Sequence, residues 1–333
     1  MYIRLHPALS FHQLGRRNNQ EDARYPDSDS PSPLCRTFVV CDGVGGLDKG
    51  EIASSTVAST IGASMEDFAD PHDDFTTADF AVVLADAYRA LSFQNTGANT
   101  GMATTLTFVH FHAGGVFTAY IGDSRIYHIR PGAGIIYRSF DHSLVNALVR
   151  AGNISPAEAI DHPQSNVITR CMGGADPVHF EPAQTYNISD VQADDYFLLC
   201  SDGVLHQLDD AALCELLQSN CSDLEIMETL AAVSADSSDN NTAILIHVES
   251  VSDTDNADTD LDDGQNLDYG TTTTLLHPRP AVAADVAPGY PDDDADYNDD
   301  DDDPDFADDP DDDDDGSPGG GNPVGNFFRR LFT

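Results

Sequence analysis

The sequence predicts an α+β fold built on antiparallel strands and followed by a disordered acidic tail. Three observations carry this. Strands arrive as neighbouring pairs joined by short glycine turns, the connectivity of antiparallel hairpins. Helical stretches precede and follow that run of strands. At Ser250 apolar periodicity gives way to aspartate runs.

Residues 39–42 (VVCD) are a β-branched apolar run that ends in a carboxylate, and Gly43, Gly45 and Gly46 turn the chain at once. A helix is expected from Lys49 onward. Residues 75–94 place Phe80, Val83, Leu84, Ala87, Tyr88 and Leu91 at helical spacing, one buried stripe. Residues 103–112 (ATTLTFVHFH) read as a strand that turns at Gly114-Gly115 and returns over 116–121. After the break Gly122-Asp123-Ser124, residues 125–130 and 135–140 flank a Pro131–Gly134 turn as a second hairpin, so a meander follows two helices. Residues 143–151 form a short amphipathic helix. Ser155-Pro156-Ala157-Glu158 is a helix start with an N-cap serine, proline in the first position and glutamate in the third. This block, 141–175, is rich in His, Asn and Gly and reads as a mobile flap with Gly152 and Gly173-Gly174 as hinges. Residues 196–200 are an apolar strand that ends in Ser201-Asp202-Gly203, the second strand to end in Asp-Gly. Helices are expected over about 209–218 and 224–235, and Asp239-Asn240-Asn241-Thr242 leads into a last strand, 243–249. Residues 1–36 read as polar, and no element is assigned to them.

The formal net charge is −43. Residues 250–333 hold 25 acidic and 3 basic residues, and residues 1–249 hold 33 acidic and 12 basic. This acidity argues against nucleic acid or an anionic membrane as the main partner. The six cysteines contain no C-x-x-C pair and read as buried free thiols in a reducing cytoplasm. The N-terminus lacks a signal-peptide core, and no run approaches the roughly 18 apolar residues of a membrane span. A soluble, cytoplasmic monomer is expected.

Asp42, Asp202 and Asp239 sit at the ends or starts of strands, Asp123 follows one directly, and Glu21-Asp22 follow Arg16-Arg17. Any one of these acids could be a solvated or capping turn residue. Jointly they suggest a rim where strand ends bring carboxylates together, and carboxylates packed that closely need cations. Asp42 with the Gly43 carbonyl is a hard-oxygen pair suited to Mg²⁺ or Mn²⁺. Two such ions about 3.5–4 Å apart could share an activated water.

The segments RNNQEDA (17–23), VVCDGVGGLDKGEIAS (39–54), GMATTLTFV (101–109), YIGDSRIYHIR (120–130), DHSLVNALVRAGNIS (141–155), HPQSNVITRCMGG (162–174), FLLCSDGV (197–204) and DNNTAILI (239–246) together resemble the bacterial metal-dependent serine/threonine protein phosphatases of type 2C. They are collinear with the family pattern over nearly all of residues 10–249.

The resemblance implies a four-layer α-β-β-α sandwich of two antiparallel sheets flanked by helices. It implies that Asp42, the Gly43 carbonyl, Asp202 and Asp239 hold one metal, and that Asp42 bridges to a second with Glu21 and, through water, Asp22. Arg17 would clamp the phosphate, since a guanidinium presents forked donors to its oxygens. His142, Ser143, Asn166 and Arg170 would be flap residues beside the substrate. The implied activity is dephosphorylation of phosphoserine and phosphothreonine in proteins by water activated between two Mn²⁺ or Mg²⁺ ions. That activity would oppose a cytoplasmic serine/threonine kinase.

The chain departs from the family pattern at Gln20, where asparagine is common, and at Val44, where eukaryotic members often carry histidine. It departs again at His206, where bacterial members place an aspartate that joins Asp123 at a third metal. His206 is read as a surface histidine, which puts that third ion in doubt. A pseudophosphatase that reads phosphoproteins is disfavoured because Asp42, Asp202 and Asp239 are all retained.

The domain organisation expected is a catalytic domain over 1–249, an acidic linker over 250–325, and a short aromatic and basic motif over 326–333. Phe327, Phe328, Leu331 and Phe332 could present one face of a short helix to a partner. The tail reads as a tether, an autoinhibitor or a solubiliser.

Overall fold

The computed structural model describes residues 1–44, 49–68, 70, 72–95, 101–160, 162–173 and 180–253. In chain order the strands are β1 (Tyr2–Leu5), β2 (Leu9–Gln13), β3 (Asp22–Tyr25), β4 (Thr37–Asp42), β5 (Ala103–Thr104), β6 (Leu106–His112), β7 (Gly115–Ile121), β8 (Arg125–Arg130), β9 (Gly134–Arg138), β10 (Met172–Gly173), β11 (Gln184–Ile188), β12 (Tyr196–Cys200) and β13 (Asn241–Ser252). The helices are α1 (Gly50–Ser64), α2 (Thr77–Gln94), α3 (Leu144–Arg150), α4 (Pro156–Ile160), α5 (Asp202–Leu205), α6 (Asp210–Leu217) and α7 (Asp223–Ser234). The expected Gly45, Gly46 and Gly174 roles, the tail from residue 254 and the Phe327–Phe332 motif lie outside the described residues.

All strand pairings are antiparallel. One large sheet runs β1-β13-β12-β8-β9, with β2 also on β13, the other large sheet runs β11-β7-β6-β4-β3, and β5 and β10 form a separate two-stranded sheet. Side-chain alternation along each strand generates the layers. In β4, Val39 and Cys41 pack with Val57 and Ile61 of α1 and Phe80 and Tyr88 of α2. Phe38 and Val40 point the other way and meet Phe197, Leu199, Ile244 and Ile246 of the facing sheet. In β12, Leu198 and Cys200 turn outward onto Leu213, Leu216, Ile226 and Leu230 of α6 and α7. The order is helices, sheet, sheet, helices, the expected four-layer sandwich. Strands covered on both faces carry apolar residues at nearly every position, which is why β4, β6, β7 and β12 stand out in the sequence.

Three differences from the sequence reading have physical causes. The meander is divided. β7 pairs with β6 and β11, whereas β8 pairs with β9 and β12, so the chain changes sheet at Gly122-Asp123-Ser124. In residues 1–36 there are three short strands. β1 and β2 take successive stretches of the 12-residue β13, and β3 takes β4, so their pairing comes from distant partners rather than from local pattern. β13 also continues through Ser250-Val251-Ser252 against Arg4, Ile3 and Tyr2, beyond the expected boundary at Glu249.

Helix starts follow local chemistry. Thr76 and Asp79, and Ser222 and Glu225, close capping boxes on α2 and α7, and Ser155 with Glu158 makes the same reciprocal pair before α4. All six cysteines are free, but only Cys41 and Cys200 are buried. Among the described residues no helix is long and apolar enough to cross a membrane.

Candidate active site

β4 ends at Asp42, whose backbone is fixed on both sides. Its N–H donates to Thr105 Oγ1 at 2.9 Å, and its carbonyl accepts from Thr105 N at 2.8 Å and Thr104 Oγ1 at 2.9 Å. At Gly43 a Cβ would stand 2.5 Å from the Gly50 carbonyl carbon and 2.7 Å from the Glu21 carbonyl oxygen. Only glycine lets α1 and the Glu21 loop close this tightly around the strand end. Asp202 opens α5 directly after β12, and the next residue, Gly203, lies against the backbone of Asn240.

Asp239 precedes β13 on a segment that also secures the Arg17–Glu21 loop. Buried Asn240 accepts from Glu21 N at 2.8 Å and donates to the Leu14 and Asn19 carbonyls at 2.9 and 3.0 Å. Asp123 arrives at the same place from the sheet-changing break after β7.

These elements surround one pocket of about 370 Å³. Arg17, Glu21, Asp42, Asp123, Asp202 and Asp239 line it, with Gly43, Val44, Thr105, Asn166, Ile168 and His206. Arg17 Nη2 donates to Asp239 Oδ2 at 2.7 Å and stays about half exposed. Arg16 is exposed, and its backbone N–H holds the Ser237 carbonyl. Asp22 pairs across the strands with Asp42 but turns beneath the pocket, where Ser201 Oγ and Thr242 Oγ1 donate to its Oδ2 at 2.8 and 2.7 Å. Gln20 spans from the Gln13 carbonyl to the Asp22 N–H. His206 is exposed, as the sequence reading has it, and also lines the pocket, with Nε2 3.6 Å from Asp202 Oδ2.

The electrostatics are those of crowded, desolvated acids. Burial raises the Asp42 carboxyl well above the ordinary range, and repulsion from Asp22, Asp202, Asp123 and Asp239 raises it further. Burial pushes Asp123 up to about 8, with Asp202 and Asp141 adding to it. Asp22 rises to about 7 through burial, against the lowering effect of its two hydroxyl donors. Burial also raises Asp202 and Glu21. For Arg17, burial works against the charge, but bonding to Asp239 outweighs it and the guanidinium is held more firmly protonated.

Divalent cations fit this donor set. The donors are almost all oxygens, the charge to be neutralised is large, and the buried Oδ1 atoms of Asp22 and Asp202 have no hydrogen-bond partner. Among the described residues no three acidic, histidine or cysteine side chains already converge on one ion-sized point. Arg17 holds one oxygen of Asp239, so a cation at that oxygen would share it with the guanidinium.

Of the expected flap residues, Asn166 lines the pocket. His142, Ser143 and Arg170 do not line it. His142 Nδ1 accepts from Gly122 N at 3.0 Å, Ser143 caps α3, and Arg170 pairs with Glu181 and reaches His142. Sequence reasoning missed Thr105, Asn240, Ser201, Thr242 and Ile168. Two adjacent asparagines before an apolar strand were the available signal for Asn240.

Residues 16–240 match the family model described as protein phosphatase 2C. The chain is 33% identical over 202 residues to the serine/threonine protein phosphatase PstP of Mycobacterium tuberculosis, a match covering 61% of this chain and 37% of that protein. It is 32% identical over 234 residues to the protein phosphatase PhpP of Streptococcus pneumoniae serotype 2, covering 69% of this chain and 92% of that protein. A crystal structure of the PstP catalytic domain in complex with two manganese ions superposes with a TM-score of 0.61 at 27% identity, over 74% of this chain and 99% of that one.

Proposed function

The chain belongs to the protein phosphatase 2C family, and from that premise we propose that it hydrolyses phosphoserine and phosphothreonine in proteins with two divalent ions, Mn²⁺ or Mg²⁺. The observation that carries this is the convergence of Asp42, Asp123, Asp202, Asp239 and Glu21 with a single arginine on one pocket. Asp42, the Gly43 carbonyl, Asp202 and Asp239 would hold one ion. Asp42 and Glu21, with Asp22 through water, would hold the other. Such ions supply, when bound, Lewis acidity toward the phosphate and an activated water.

The chain's own residues do the rest. Arg17 sits at the mouth on an exposed side chain, free to exchange Asp239 for phosphate oxygens and to stabilise their charge. Asn240 fixes the loop that carries Arg17 and Glu21, and Thr105 fixes the end of β4. Val44 offers no proton to the leaving group. The six cysteines lack the signature loop of cysteine-based phosphatases, so no covalent phosphoenzyme is assigned.

The substrates on this reading are targets of a cytoplasmic serine/threonine kinase, and the enzyme acts on them as a monomer. Residues 250–325 are a spacer and 326–333 a docking motif, with Ser250–Ser252 retained in the folded unit as part of β13. Hydrolysis of para-nitrophenyl phosphate and of a phosphoserine peptide, with and without Mn²⁺ after chelation, tests the proposal. Turnover that depends on Mn²⁺ supports it. Binding of phosphopeptide without turnover under any divalent ion overturns it.

A further inference from the structure

A second concavity lies beside the catalytic pocket. Tyr120, Tyr137, Arg170, Gln184 and Tyr186 are among the residues lining it, and its volume is about 480 Å³. Its walls are aromatic. Tyr137 of β9 and Tyr186 of β11 stack with ring centres 5.3 Å apart and planes 6° apart, although they belong to different sheets. Tyr186 is 57% exposed, unusual for a ring of that size. Both strands are sheet edges among the described residues, where β11 pairs with β7 and β9 with β8, so the outer side of β11 is an edge open to pairing among those residues. Among the described lining residues the one charged side chain, Arg170, is paired with Glu181. Those residues therefore offer mainly aromatic faces and backbone hydrogen bonds.

The groove and the catalytic pocket share one wall segment. Asn166 and Ile168 line the pocket and Arg170, two residues on, lines the groove, so one short segment walls both. His142 joins them from below. Its ring stacks on Tyr120 at 5.3 Å, and its Nδ1 takes the Gly122 N–H next to Asp123. Tyr120 precedes Asp123 by three residues, which limits their separation to about 10 Å of extended chain. An extended peptide crosses that span in about three or four residues.

We propose that the Tyr120–Tyr137–Tyr186 groove is a substrate subsite. It takes an apolar or aromatic side chain three or four residues from the phosphorylated serine or threonine, on a stretch of phosphoprotein that runs along the outer edge of β11. Main-chain pairing to the edge supplies affinity, and the aromatic groove supplies selectivity. This rests on the phosphatase reading above. A small aryl phosphate fills the catalytic pocket without reaching the groove.

The test uses the full chain with Mn²⁺ on fifteen-residue phosphoserine peptides that carry phenylalanine or serine at positions three and four on either side. Para-nitrophenyl phosphate serves as the reference substrate. The wild type should prefer a phenylalanine peptide by about five- to tenfold in kcat/KM, the scale of partly burying one apolar side chain in an open groove. Tyr186→Ser, at an exposed position, and Tyr137→Ser should each lose that preference, chiefly through KM, and leave para-nitrophenyl phosphate turnover unchanged. Three results overturn the proposal: no preference in the wild type, an undiminished preference in both variants, or a change of oligomeric state in Tyr186→Ser that accounts for the loss. If neither the peptides nor the aryl phosphate is hydrolysed, the phosphatase reading itself falls and takes the subsite with it.

Discussion

Asn240→Ala would release the Arg17–Glu21 loop from the strand that carries Asp239. The side chain is 3% exposed and makes three hydrogen bonds, to Glu21 N, Leu14 O and Asn19 O. Each is worth roughly 1 kcal/mol net, and more where the abandoned partner stays buried, so the substitution should cost about 3 kcal/mol. For a domain of this size that is a fall in Tm of roughly 6–12 °C. The functional effect should exceed the stability effect. Below the melting range the folded protein should need more Mn²⁺ for half-maximal turnover and show a higher KM for phosphopeptide, because Glu21 and Arg17 both ride on the freed loop. Asn240→Asp discriminates further, since it can still accept from Glu21 N but cannot donate to the two carbonyls. Thermal denaturation with a Mn²⁺ titration of initial rates checks this. A variant with a Tm within 1 °C and an unchanged Mn²⁺ requirement, thresholds of about a third of 1 kcal/mol, would refute the strapping role.

Arg17→Ala should raise KM for phosphopeptides about tenfold or more, the loss of a charge-assisted bond worth about 1.5–3 kcal/mol, whereas Arg16→Ala should not; steady-state kinetics of the pair decides it. Burial, then His112 and Arg36, depresses the imidazole of His110 to about 3, and Thr37 bonds its neutral ring. The unfolded chain takes up this proton below about 6.5 and the folded chain does not. Stability should therefore be complete above pH 6.5 and fall as pH drops toward 3, by about 2 kcal/mol at pH 5. The drop in Tm from pH 7 to pH 5 should shrink in His110→Gln, and an equal drop in both proteins would contradict the assignment. A chain ending at Asp253 keeps all of β13 and should retain turnover on para-nitrophenyl phosphate; a several-fold rise on truncation would make the tail an autoinhibitor.

What the sequence made legible follows from where the information lies. β4, β6, β7 and β12 are covered on both faces, so local composition identifies them, and the strand-ending acids Asp42 and Asp202 could be picked out by position. β1, β2 and β3 were invisible because four or five residues of mixed polarity become strands only when β13 or β4 offers an edge. The change of sheet at Gly122-Asp123-Ser124 reads locally like any hairpin break. Thr105 and Asn240 escaped for the same reason. Their partners, Asp42 and Glu21, are 63 and 219 residues away, and no local pattern reports a hydrogen bond of that range. His206 is a surface residue as read, but spacing alone does not show that, just past the end of α5, it also lines the pocket.

On the proposed reading the buried carboxylates hold divalent ions, with Asp42 shared between two of them. Calorimetric titration of Mn²⁺ into the metal-stripped protein, beside Asp42→Asn, tests it most directly. The wild type should take up at least two ions, and the variant should lose most of that uptake while remaining folded. Uptake by Asp42→Asn equal to that of the wild type, or no uptake by the wild type at all, would contradict the account.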